Sequence, residues 1–286
     1  MVFVAVVLVL LIGTTVGYEL GTGVQRTSTT TVTFLMTTTL TTTALPPRFN
    51  ASEEIQSACN YLESNYNPQM GLISVTPGQG QYFLYSDNYL ATVVLSGTCK
   101  DPTLANSING TLDQPQDSPS NIPNQYMVLG CKGPYFDGSK DYDLSGEVWT
   151  TINNQPGAPL NDSYADIAFL QAYYDKACTG NTSAAQTAFD AGAEAFNGIG
   201  ITDIVYSSPQ SSSYHQYQTY KLALYVYTAT LLGQKVPLSA LVNLIRMQST
   251  SGGFYTGYDA SYSDDGTLTN TETTCLAIMA LQAAIG

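Results

Sequence analysis

The chain has 286 residues, with 9 Lys or Arg against 22 Asp or Glu, a formal net charge of −13. That imbalance excludes nonspecific nucleic-acid binding, which needs cations to displace phosphate counterions, and it disfavours docking on an anionic membrane surface. Charged residues are only 11% of the chain, so its polar surface is mainly Ser, Thr, Asn, Gln and Tyr.

Residues 1–17 are almost wholly apolar or small and predict a signal peptide or a membrane anchor. The usual positive start of a signal is missing, and a run of about 17 residues is at the short edge for a span; cleavage and a retained anchor both stay open. Residues 18–47 are rich in threonine and close on Pro46-Pro47, which predicts an extracellular spacer suited to O-glycosylation. The alternative is a strand around Val32–Met36. Any membrane contact is expected through the N-terminal segment alone.

Residues 48–286 are long enough for one sizeable core. N-glycosylation patterns start at Asn50, Asn109, Asn161 and Asn181 and, if used, mark surface loops. With the leader they predict a protein that is secreted or held on the outer face of the cell membrane. The five cysteines are Cys59, Cys99, Cys131, Cys178 and Cys275, without a Cys-x-x-Cys pair and with a single histidine, so disulfides are a better assignment than zinc. Cys99–Cys131 is the expected bridge because the two bracket one long loop region. The odd cysteine is expected to be buried and free.

Helical periodicity and end signals predict helices over 50–66, 86–95, 162–178, 183–197, 216–232, 238–247 and 269–284. Asn50 is the expected cap of the first and Ser86 of the second, Pro237 opens the sixth, and Thr269-x-x-Glu272 reads as a capping box for the last. Residues 101–123, with four prolines among turn formers, read as loop. Tyr126–Leu129 and Gly146–Ile152 suit short strands around Phe136-Asp137-Gly138, so a small β or loop insertion is expected within 101–158. The fold class is all-α, built from antiparallel helical hairpins.

A local pattern occurs twice. Tyr66–Gly71-Leu-Ile73 precedes Tyr85-Ser86-Asp87-Asn88 and an apolar helix; Gln248-Ser-Thr-Ser-Gly252-Gly253-Phe254 precedes Thr269-Asn270-Thr-Glu272 and another. The second copy resembles a repeat of the α/α-toroid proteins, which include terpene cyclases, prenyltransferase β-subunits, and six-hairpin glycosidases and polysaccharide lyases. The Gln-x-x-x-Gly-Gly-Phe spelling is closest to the cyclase type. The resemblance implies a partial or complete α/α toroid whose polar helix starts line a cleft. The cyclases' Asp-rich acid motif is not evident, and neither is the Asp/Cys/His zinc set of the prenyltransferases. The seven predicted helices are also fewer than a complete toroid needs.

The chemistry that suits these residues is work on a poly- or oligosaccharide. Aromatics stack on sugar faces while carboxylates and amides bind hydroxyls. Tyr85, Tyr89, Tyr214, Tyr217, Phe254, Tyr255 and Tyr258 are the candidate ligand-binding rings; the alternative for tyrosines is helix packing with wet tips. Glycoside hydrolysis needs a protonated and an ionised carboxyl across the bond, and Asp87, Asp162, Asp166, Asp259 and Glu272 are candidates. Asp87 and Glu272 take comparable places in the repeated pattern, and Asp162 and Asp166 share one helical face. Simple capping or dipole complementarity is the competing account for each. A lyase would instead use Tyr214, His215 and Tyr217 for proton abstraction beside a uronate. Asp259, Asp264 and Asp265 offer hard oxygens to calcium in a short turn, without EF-hand spacing. No nucleotide-cofactor, phosphate-loop or serine-nucleophile motif is found. The expected function is therefore an extracellular glycoside hydrolase or polysaccharide lyase, with a non-catalytic glycan-binding or cell-surface structural or adhesion protein as the alternative.

Overall fold

The helices differ in how much of their surface is buried. The computed structural model describes residues 50–78, 82–112, 124–133, 139–143, 148–153, 163–264 and 266–286. The predicted leader and spacer lie outside these residues, as do Asn161, Asp162, Asp265 and the turn at Phe136–Gly138.

The first helix, α1 (Ser52–Ser64), buries Ile55, Ala58, Cys59, Tyr61 and Leu62 on one face. The chain then makes a two-residue hairpin, β1 (Tyr66–Asn67) against β2 (Leu72–Ile73). Gly71 turns it at φ 68°, and a Cβ there would stand 2.3 Å from Thr111 Oγ1. A short strand β3 (Phe83–Leu84) runs directly into α2 (Tyr85–Gly97), and α3 (Pro102–Leu112) returns against it. A 3-10 turn (Gln125–Gly130) follows, then β4 (Ser139–Asp143) and β5 (Val148–Asn153). β5 pairs antiparallel with β4 and parallel with β3, placing Phe83 beside Val148. The hairpin α4 (Ala165–Ala177) and α5 (Thr182–Ala193) comes next, then the single turn α6 (Ile204–Ser207). The remainder is β6 (Tyr217–Gln218), α7 (Thr219–Leu231), α8 (Leu238–Arg246), β7 (Phe254–Tyr255), β8 (Gly257–Tyr258), β9 (Thr269–Asn270) and α9 (Thr271–Ile285). β6 pairs with β8, and β7 with β9.

α7 and α9 are apolar or small almost all round. Leu222 to Val226 are buried without interruption, and so are Thr273 to Leu281. A helix without a polar face must be enclosed by others. α1, α3, α5 and α8 instead bury one stripe, as Ala185, Ala188, Phe189 and Gly192 show in α5. Four helices touch in sequence: α2 packs on α9, α9 on α7, and α7 on α4, which buries a single stripe. The 3-10 turn lies against both α2 and α4. The one-stripe helices cover them, with α1 on α9, α3 on α2, α5 on α4 and α8 on α7. The described residues are thus mainly helical, packed as helix pairs, with small sheets at the strand–helix junctions.

Several expectations are corrected. Residues 102–112 are helix and not loop; Asp101 accepts from the Leu104 N–H at 3.0 Å and holds the start, with Pro102 at the first helical position where it needs no N–H partner. Tyr126–Leu129 is a 3-10 turn, because Asn124 caps it through the Tyr126 N–H. The strand expected over 146–152 is observed as β5. Asn50 and Ser86 are not helix caps: α1 starts after Ala51 and α2 after Leu84. The capping box at Thr269 also fails. Thr269 belongs to β9, and Asn270 caps α9 by accepting from the Thr273 N–H at 2.8 Å.

The bridges are Cys59–Cys99 and Cys131–Cys178, with Cα–Cα distances of 5.5 and 5.3 Å, and not Cys99–Cys131. Cys99 ends beside α1, whereas Cys131 follows the 3-10 turn that packs on α4, where Cys178 caps the end. Cys275 is free and buried, as expected. Two bridges fit an oxidising, extracellular setting. Among the described residues no helix is long and apolar enough to cross a membrane.

Candidate functional site at four helix starts

The helices α2, α4, α7 and α9 each begin at the end of an extended segment, and their first three residues follow one rule where the chain is described. The first residue is buried in each: Tyr85, Ala165, Thr219 and Thr271. The second is half-buried in each: Ser86, Asp166, Tyr220 and Glu272. At the third place Asp87, Lys221 and Thr273 are buried, and only Ile167 is not. Second residues therefore carry chemistry that a ligand can reach, and third residues carry charge that it cannot reach directly.

The two repeated turns fix this register. In the first, the Ile73 N–H donates to Asn88 Oδ1 at 2.7 Å; in the second, the Phe254 N–H donates to Thr274 Oγ1 at 3.0 Å. Asn88 and Thr274 are both fourth helical residues. Asp87 and Glu272 are consequently one residue out of step, third and second, and not equivalent as the sequence pattern suggested. Asp87 is 1% exposed while Glu272 remains half-buried. The copies also bond each other, since Thr271 donates from its N–H to the Val75 carbonyl at 2.9 Å and from its hydroxyl to the Ser74 carbonyl at 2.7 Å.

Glu272 accepts a hydrogen bond from the Tyr126 hydroxyl on the 3-10 turn. Burial pushes the Glu272 carboxyl above its usual range; the Tyr126 bond opposes this, and the charge of Asp166 adds to it. Burial pushes Asp87 well above the carboxylate range, helped by the charge of Glu272 and opposed by the Ser86 hydroxyl, which donates to Oδ1 at 3.3 Å. Burial also raises Asp166, but Lys221 opposes that rise. Tyr126 and Tyr220 are both pushed well above the phenol range, first by burial and next by neighbouring carboxylates. They stay protonated and able to donate.

Lys221 is 1% exposed and sits 2.5 Å from Asp203 and 3.5 Å from Asp166. Both oxygens of Asp203 are engaged. It takes the Ala165 N–H at 3.0 Å and the Lys221 ammonium on one oxygen, and the Val205 N–H at 3.1 Å on the other. The pair thus ties the starts of α4, α6 and α7 together. Tyr126, Asp203 and Tyr220 were not read as site residues from sequence. Tyr126 was hidden by the strand reading; a lysine in a first helical turn, where the dipole opposes it, was the signal for a partner such as Asp203.

The remaining candidates fall elsewhere. Tyr217, Phe254 and Tyr258 are fully buried, and Tyr85 nearly so. Tyr217 accepts from Asn197 at 3.0 Å, and Tyr258 donates to the Ile199 carbonyl at 2.9 Å. Tyr89 and Tyr255 are half-buried. His215 is exposed at φ 60°, with its ring 3.8 Å from that of Tyr214 and edge-on to Tyr206 at 5.4 Å. Asp259 Oδ1 is occupied by the N–H and hydroxyl of Ser261 and the N–H of Ser263, which hold the carboxyl below its usual range. Asp264 accepts from the Gly266 N–H at 3.1 Å. Among the described residues no group of three or more His, Cys, Asp or Glu has metal-holding geometry. Asn50 and Asn181 are exposed; Asn109 is exposed too, but on α3 and not in a loop.

The chain matches no protein-family model, and no curated protein is similar to it.

Proposed function

We propose that this is an exported glycoside hydrolase whose hairpins form a small α/α toroid, with the substrate entering over the starts of α2, α4, α7 and α9. The succession of contacts from α2 through α9 and α7 to α4, with the 3-10 turn touching both end members, supports the toroid. The two disulfides support export.

The observation that carries the reading is the unequal surroundings of two half-buried carboxyls, Glu272 and Asp166, each at the second place of its helix. Among the described residues no cation pairs with Glu272, and burial raises its carboxyl, a rise that the Tyr126 bond opposes; this suits it to hold a proton and deliver it to a glycosidic oxygen. Asp166 has Lys221 beside it, which favours its ionised form and the role of base or nucleophile. Hydrolysis is favoured over elimination because the alternative set, Tyr214, His215 and Tyr217, includes a phenol that is buried and already bonded.

A non-catalytic glycan-binding or surface structural role is the second reading. The structural role within it is favoured by the burial of Tyr217, Phe254 and Tyr258, rings that would otherwise stack on sugar. A glycan screen of the full chain, with product release assayed on every hit, separates the two. Turnover that falls roughly 10²- to 10⁴-fold in Glu272→Gln supports the hydrolase. Binding without turnover supports the module, and no binding to any glycan removes both carbohydrate readings.

A further inference from the structure

The contact between Lys221 and Asp203 brings together the parts of a condensation reaction. Lys221 Nζ lies 2.5 Å from Asp203 Oδ2, and the two side chains are 1% and 4% exposed. Reacting groups held this close, away from water, have prepaid most of the entropy of meeting. The Asp203 carboxyl is also polarised by fixed donors, the Val205 N–H at 3.1 Å on one oxygen and the Ala165 N–H at 3.0 Å on the other. Backbone donors in such places stabilise the oxyanion that forms when a nucleophile adds to a carboxyl carbon. A third group stands at the amine. Asp166 Oδ1 is buried, lies 3.5 Å from the same Nζ and receives no hydrogen bond. A carboxylate with an open lone pair beside an amine is placed to take a proton from it. The rings of Tyr164 and Tyr220 flank Nζ at 6.0 and 5.8 Å.

We propose that Lys221 and Asp203 condense into an intramolecular isopeptide bond, with Asp166 as the carboxyl that moves the proton. Proton transfer along the 2.5 Å contact turns the ammonium and carboxylate into an amine and a carboxylic acid. The Nζ lone pair adds to Cγ of Asp203, and the Nζ–Cγ bond forms. Asp166 takes a proton from Nζ and passes it to the hydroxyl on Cγ; that Cγ–O bond breaks and water leaves. Nothing is oxidised or reduced, since one ammonium and one carboxylate become one amide and one water. The oxygen that stays keeps a backbone donor, the Val205 or the Ala165 N–H. The new amide N–H supplies the donor that Asp166 Oδ1 lacks. The buried charges have lost hydration that their pairing only partly restores, and a neutral amide removes that cost.

The reaction follows folding, because its three residues come from α4, the turn before α6, and α7. The ion pair is its starting state. The bond closes residues 203–221 into a loop and staples α6 and the exposed Tyr214 and His215 to α7, constraining the unfolded chain as a disulfide does. Such a staple suits a chain with two disulfides in an extracellular setting. The inference needs no glycan and rests on neither reading of the function. In linked molecules Asp166 has lost its cation, so hydrolysis by Glu272 and Asp166 belongs to the unlinked form.

The test is tryptic mapping of the folded full chain, reduced, alkylated and freed of any Asn181 glycan, in a time course after refolding. Trypsin is expected to leave Lys221–Leu222 uncut, giving a peptide 177–235 that is lighter by one water, with fragmentation placing the link between Asp203 and Lys221. Asp166→Asn is expected to slow linking roughly 10²- to 10⁴-fold, and Lys221→Arg to abolish the water loss. Recovery of peptide 177–221 at full mass from stored parent protein overturns the proposal, whether or not either variant folds. So does a peptide 177–221 that has lost water but is cut at Lys221, which is a cyclised aspartate and no cross-link. Linking at the parent rate in Asp166→Asn overturns the role of Asp166.

Discussion

Removing the carboxylate of Asp203 is the sharpest test of how the helix starts are held. Its side chain is 4% exposed and meets Lys221 at 2.5 Å, while its oxygens also take the Ala165 and Val205 N–H groups. In Asp203→Ala the ammonium of Lys221 stays buried, with only Asp166 at 3.5 Å to answer it. Breaking one partner of a buried ion pair costs about 3–5 kcal/mol, because the remaining charge is uncompensated. The two orphaned N–H groups push the loss toward the upper end of that range. Urea unfolding followed by far-ultraviolet circular dichroism, with both disulfides intact, measures the loss. Asp203→Ala combined with Lys221→Met removes both charges and should recover most of it, since an apolar pair replaces an ion pair at little cost. A loss under about 1 kcal/mol, or a double variant no more stable than the single, would refute the buried-pair account.

Two further outcomes are expected. Because Asp87 is raised in the folded state, the native protein holds a proton there that the unfolded chain has released; stability contributed by this group is therefore full below the ordinary carboxylate range and falls as pH rises toward the folded value. Asp87→Asn should flatten that slope and raise stability at neutral pH, and a variant that melts lower than the parent at pH 7 with an unchanged slope would contradict the assignment. Peptide mapping under nonreducing conditions should recover Cys59 joined to Cys99 and Cys131 joined to Cys178, with Cys275 alkylated only after unfolding; a Cys99–Cys131 peptide would contradict the placement of Cys99 beside Cys59 of α1.

Helix existence was legible in the sequence wherever apolar periodicity was strong. The stripe Ala165, Ala168, Phe169 and Ala172 is buried as its spacing predicts, and Pro237 stands at the start of α8. α3 escaped because it buries only Ala105 and Ile108, too few residues to stand out among the turn formers that follow. The repeated glycine turn was legible for a physical reason: Gly71 and Gly252 both need positive φ, and each approaches a neighbour too closely for a side chain, Thr111 and the Ser57 carbonyl respectively. Register at the helix starts was not legible. Thr269 and Asn270 are both good caps, and only the pairing of β9 with β7 decides that Asn270 serves. That one-residue choice moves Glu272 from a capping role to the partner of Tyr126. Disulfide pairing escaped for the related reason that it depends on which helix ends meet.

The placement of charge in the first helical turns explains why the cluster tolerates its own repulsion. Helix starts present unpaired N–H groups and the positive end of the helix dipole, so carboxylates are favoured there and a lysine is not. Asp87, Asp166 and Glu272 conform to that rule, whereas Lys221, in the first turn of α7, breaks it. A cation in an unfavourable place has to be held by something outside its own helix, and Asp203 does so from the turn before α6. Removing Lys221 would relieve α7 but leave Asp166 and Asp203 facing each other without a cation between them. The lysine therefore serves the carboxylates around it and not the helix that carries it. Its charge opposes the rise that burial causes in Asp166, whereas at Glu272 the opposing contact is the Tyr126 hydroxyl and not a cation.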